Sequence, residues 1–128
     1  MLKKILPFLL LPLLAGCAAQ ISNLSPTQQV RNPNNLYPVE VAFNSQEQDL
    51  RWDSIKPKIV VAGQSYEMKP TMLMSNRWEG LVPVPPDSNL IHYHYRFDFD
   101  TTGFGKIVPD SAVSSEYSLK IVEPPPGQ

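Results

Sequence analysis

Chemistry in this 128-residue chain has few places to start: one thiol (Cys17), two imidazoles (His92, His94), two indoles (Trp52, Trp78) and twelve carboxylates. His92 and His94 stand at i, i+2, which on a strand puts both rings on one face. Two imidazoles supply half of a tetrahedral zinc site, and such a site takes a third protein ligand and usually a fourth. Asp98 and Asp100 continue the same face, but at about 3.3 Å per residue Asp98 lies about 13 Å from His94. His92 and His94 are therefore metal candidates that lack a third ligand, and no metal is assigned. The alternation of His, Arg and Asp is accounted for by a solvated strand face. Asp98, Asp100 and Glu79 have the chemistry of a catalytic carboxylate pair, but such pairs are defined by their separation across a scissile bond, which sequence does not give. Serine offers no Gly-x-Ser-x-Gly elbow and, beyond residue 17, no Ser-x-x-Lys. Gly103-Phe104-Gly105-Lys106 is too short for a phosphate-binding loop and no helical pattern follows it; it reads as a loop. No catalytic residue is assigned. Trp52 and Trp78 remain as candidate ligand-binding residues, whose flat faces either stack on a ligand ring or pack in a core.

The thiol is placed differently from the rest. Met1-Leu2-Lys3-Lys4 is a short cationic start, and residues 5–14 are all apolar or proline. Small residues follow at Ala15 and Gly16, which completes the anatomy of an export signal. Spanning a bilayer takes roughly 20 apolar residues, and Pro7 and Pro12 interrupt this shorter run, so no retained membrane helix is expected. Leu14-Ala15-Gly16-Cys17 resembles the lipobox of bacterial lipoproteins at each of its four positions. The resemblance implies cleavage after Gly16, a thioether-linked diacylglycerol on Cys17 and N-acylation of the new amine. It also implies an envelope location. Ala18, where an aspartate signals inner-membrane retention, favours the outer membrane in an organism with two membranes. A single cysteine allows no intramolecular disulfide and no cysteine metal cluster.

Cleavage leaves 112 residues, enough for one domain. Loss of Lys3 and Lys4 leaves nine basic residues against twelve acidic ones, a formal charge of −3 with no runs. No basic patch is present, so no nucleic-acid partner is expected. Twelve prolines and five glycines remain. Each interior proline costs a helix about 3 kcal/mol or more, whereas in sheets prolines take edges, strand starts and turns. The composition therefore predicts an all-β domain.

Period-two patterns locate its strands. A first strand is expected at residues 21–24, and a turn at Asn32-Pro33-Asn34-Asn35. Tyr37, Val39, Val41 and Phe43 alternate with polar or small residues. Ile59-Val60-Val61-Ala62 is a β-branched run ended by Gly63, with residues 64–68 pairing back on it. Trp78, Gly80, Val82 and Val84 alternate with Glu79, Leu81 and Pro83, as do Tyr117, Leu119 and Ile121 with their neighbours. Residues 90–100 are the clearest case. Ile91, Tyr93, Tyr95, Phe97 and Phe99 share one face, and the opposite face carries His92, His94, Arg96, Asp98 and Asp100. The expected organisation is a signal at 1–16, a lipidated tether at 17–20, a β-domain at 21–122 and a proline-rich tail at 123–128. About seven strands with frequent turns predict an immunoglobulin-like β-sandwich, with a small β-barrel as the alternative.

Residues 77–86, from Arg77-Trp78-Glu79-Gly80 to Pro85-Pro86, lead into Tyr93-His94-Tyr95-Arg96-Phe97. That spacing is similar to a strand pair of starch-binding and related early-set immunoglobulin-like modules, over roughly a fifth of the chain. The resemblance implies the sandwich first and carbohydrate binding second. Three functions follow as expectations. The first is a membrane-anchored, non-catalytic binding or structural module with an envelope protein partner, touching it through residues 44–54 or 101–115. The second is a surface carbohydrate-binding module using Trp52 or Trp78. The third is a small metal-dependent hydrolase using His92 and His94. No cofactor is expected beyond the covalent lipid on Cys17.

Overall fold

A computed structural model describes residues 19–126 of the chain; Cys17 and the expected export signal at 1–16 lie outside the described residues. Ten strands run in sequence: β1 (Ala19–Asn23), β2 (Gln28–Val30), β3 (Leu36–Ser45), β4 (Leu50–Val61), β5 (Gln64–Glu67), β6 (Lys69–Pro70), β7 (Arg77–Pro83), β8 (Leu90–Gly103), β9 (Lys106–Val113) and β10 (Tyr117–Val122). No helix forms among the described residues.

The strands make two open sheets, ordered β1-β3-β7-β6 and β2-β10-β8-β4-β5, with β9 alongside the far half of β8. Neither sheet closes, so the architecture is the sandwich and not the barrel. In immunoglobulin lettering the first sheet is A-B-E-D and the core of the second is G-F-C. The strand count exceeds the expected seven because β2, β6 and β9 carry no readable alternation. β1 starts at Ala19 and pairs Ala19 with Ser45 and Gln20 with Asn44, so the last two residues of the expected 17–20 tether belong to the sheet. The Trp78 strand and the Tyr-x-Tyr strand, expected as a pair, lie in opposite sheets and meet only across the core.

The alternation in β3 and β8 explains the core. Tyr37, Val39, Val41 and Phe43 point inward from one sheet, and Tyr93, Tyr95, Phe97 and Phe99 from the other. Phe43 stacks on Phe97 at 4.6 Å between ring centroids, and Trp78 meets Phe97 edge-on at 5.6 Å. Burying each such ring contributes roughly 1.5–3 kcal/mol, and a one-residue slip would turn the whole set to water.

Pro38 lies within β3 without disrupting it. Glu40 directs its N–H and carbonyl towards the first-strand side, to Ser25 and Leu24. Pro38, two residues earlier, has the same orientation. β1 ends at Asn23, opposite Val41, so the proline lacks a donor where no strand asks for one. There Ser25 takes over from the ladder: Glu40 N–H donates to Ser25 Oγ (2.7 Å), and Ser25 Oγ donates to the Glu40 carbonyl (3.1 Å). The chain then crosses to the second sheet as β2, parallel to β10.

Beside this crossing Tyr95 donates to Asn23 Oδ1 at 2.6 Å, and Asn23 Nδ2 donates to the Tyr93 hydroxyl at 3.0 Å. Burial pushes the Tyr95 phenol far above its ordinary range. The native state holds the protonated form. That contribution to stability is therefore whole below the unfolded phenol pKa of about 10 and is lost as pH rises beyond it. Tyr95→Phe is expected to cost about 1–3 kcal/mol at neutral pH, because it strips a partner from a partly buried amide. In urea titrations the variant should also show a shallower loss of stability above pH 10 than the parent.

Candidate binding surface

The second indole candidate is settled by packing. Trp78 is 7 % exposed, points inward from β7 and meets Phe97 edge-on, so it presents no face to a ligand. Trp52 is 42 % exposed. It sits where the β4–β8 register breaks between Arg51 and Lys56, a bulge that leaves residues 52–55 out of the ladder. Ser54 caps the irregularity, donating to the Arg51 carbonyl (2.6 Å) and accepting from Asp100 N–H (2.8 Å). Trp52 rests against Phe43 in an edge geometry at 6.0 Å with part of the residue in solvent, so the carbohydrate reading stands on Trp52 alone.

His92 and His94 lie on the outer face of β8, as the alternation predicts. His92 Nδ1 is 2.9 Å from Ser118 Oγ, and among the described residues no group of three or more metal-type ligands forms. Asp98 and Asp100 share that face, opposite Lys56 and Arg51 in the ladder, and Asp98 accepts from Arg96 Nε at 3.0 Å. Opposite charges across a strand pair support the sheet. Glu79 is in the other sheet, so it does not join them as a catalytic pair.

A concavity lies elsewhere, over the outer face of the first sheet and against Ser65, Tyr66 and Glu67 of β5. It is a groove of about 1030 Å³ walled by Leu24 and Pro26 from the β1–β2 crossing, Leu36 and Pro38 from β3, and Leu81 and Pro83 from β7. The ladder makes these neighbours, since Leu36 faces Pro83 and Pro38 faces Leu81. Leu24, Leu36 and Leu81 are all exposed and line this one concavity. One end of the groove is acidic. Glu40 and Glu79 sit directly opposite each other, with Thr71 Oγ1 3.4 Å from a carboxylate oxygen of each; Lys69 pairs with Glu79. Like charges so placed are unfavourable and suit an incoming cation. β6 pairs only with Trp78 and Glu79, so from Gly80 to Pro83 that edge of β7 has no ladder partner, while Ser65, Tyr66 and Glu67 of β5 line the groove beside it.

The two segments expected to touch a partner are partly regular structure. Residues 44–54 comprise the end of β3, a short loop and the start of β4; residues 101–115 are mostly the β8–β9 hairpin. Its turn residues Phe104 and Gly105 have φ of 51° and 76°, the pattern of a tight type I′ hairpin turn, where Asn or Gly normally precedes Gly. Phe104 is fully exposed. The turn at residues 71–76 is similar: Met72 is 83 % and Leu73 97 % exposed, and Leu73 has φ of 66°. Large apolar residues held at positive φ are uncommon. The signal in the sequence was Met72-Leu73-Met74 standing where Gly, Asn, Asp or Pro is usual.

No protein-family profile matches the chain, and no curated protein does. Among solved structures, a DUF4785 family protein from Legionella pneumophila aligns over 80 % of this chain and 28 % of its own length, with 16 % identity and a TM-score of 0.44. The chain thus spans less than a third of that protein, and the likeness carries no argument about function.

Proposed function

We propose that the chain is a lipid-anchored, non-catalytic binding module of a bacterial envelope, acting through a protein partner. The lipobox-like Leu14-Ala15-Gly16-Cys17 supports the anchor. The observation that carries the binding role is the apolar groove across β3 and β7, between β5 and a stretch of β7 edge with no ladder partner. An extended segment is the natural occupant: main-chain groups pair with a free edge, and alternate side chains fill the pockets beside it. The acidic end at Glu40 and Glu79 favours a segment carrying Lys or Arg next to apolar residues.

A photoreactive side chain placed at Leu81 tests this in cells. A discrete protein adduct is expected at Leu81 and not at Ser111 on the opposite sheet. No adduct at Leu81, or the same adducts at both sites, contradicts the groove as the contact surface.

A further inference from the structure

We infer that the domain sits end-on against a lipid surface, with the Leu73 and Phe104 tips entering its interfacial layer. The inference rests on the anchor reading of Cys17 and adds to it a second membrane contact.

Strand directions bring the pieces together. β1 begins at Ala19 opposite Ser45, the last residue of β3, which defines one end of the sandwich. Phe43 N–H donates to the Asn76 carbonyl at 3.1 Å, so the turn holding Leu73 belongs to that end. Leu50, at the start of β4, pairs with Thr101, and the β8–β9 hairpin runs past this level to Phe104. The turns at residues 32–35 and at Ala62-Gly63 occupy the opposite end.

Only Ala18 separates Cys17 from Ala19, and two residue steps span at most about 7 Å. A lipid on Cys17 therefore holds this end close to the headgroups and leaves no tether for the domain to stand off. Two bulky apolar side chains project there, nearly or wholly exposed and both in the left-handed backbone region. Interfacial anchoring buries apolar groups about 5–10 Å into the headgroup and acyl boundary, which is the depth available to side chains on loop tips. Charge does not drive the contact. Glu47 and Asp49 in the loop between β3 and β4 are matched in number by Arg77 and Lys106 at the same end, so the probe is a zwitterionic phosphatidylcholine vesicle. The groove over Leu36 and Pro83 lies towards the far end and stays open.

The test uses full-length protein made in a bacterium, with its lipid state read by mass, in vesicles containing brominated phosphatidylcholine. Phe104→Trp and Asn34→Trp are each compared with the parent, which contributes Trp52 and Trp78 to every sample. Leu73→Trp serves in addition, so the answer does not depend on one variant folding. Loss of emission from the added indole is expected at positions 104 and 73 and not at 34. Lipidated, vesicle-bound protein with no quenching at 104 or 73 overturns the end-on seating and leaves the anchor standing. Quenching at 104 in protein without lipid on Cys17 supports the tips and removes the anchor. Protein that neither carries lipid nor binds vesicles removes both.

Discussion

Phe97→Ala is expected to lower the unfolding free energy by about 3–5 kcal/mol, the usual cost of emptying a buried aromatic site. Phe97 is fully buried in the middle of β8, with Pro57 of β4 on one side and Ala112 of β9 on the other. Its ring stacks on Phe43 and receives the edge of Trp78, so its loss leaves a hole between two sheets whose strands are held by their ladders and cannot close on it. Domains of this size are stable by only about 5–15 kcal/mol, so the variant should lie at the margin of folding. Arg96→Ala, one residue away on the outer face, removes only a part-exposed pair with Asp98 and is expected to change stability by under about 1 kcal/mol. Urea midpoints for the two variants check both values, provided the slopes agree. A large loss at Arg96 with little at Phe97 contradicts the register.

That contrast was legible in the sequence because β8 keeps strict alternation over ten residues, with aromatics on one face only. β3 was legible for the same reason. The first half of β4 was hidden by its bulge: Leu50 and Ile55 both point inward although five residues apart, which destroys a period of two. β9 is solvated on both faces except at Ala112, so it has no apolar side to read, and β2 and β6 are too short to show a period. The groove was half legible. Pro38, Leu81 and Pro83 could each be assigned to the outer face of a strand, but only the β3–β7 register makes them neighbours. The exposed Leu73 and Phe104 broke turn chemistry in plain view, yet only the strand directions put both tips at one end.

Cys17→Ala is expected to move the protein out of the membrane fraction, or to leave it unprocessed with its export segment attached. Two or three acyl chains, at about 0.8 kcal/mol per buried methylene, hold a protein to a bilayer stably, whereas one chain is marginal. The Leu73 and Phe104 tips, being two side chains, do not replace them. The effect should therefore approach complete loss of mature membrane-bound protein in a carbonate-washed fraction, and Cys17→Ser should match it. An ordinary secreted domain with an incidental cysteine would show no difference between parent and variant.

The anchor is tested most directly by the mass of the N-terminal peptide of the protein extracted from bacterial envelopes. The expected peptide begins at Cys17 and carries a thioether-linked diacylglycerol, with or without a further acyl group on its amine. A free thiol at Cys17, or an N-terminus upstream of it, would contradict the lipid anchor.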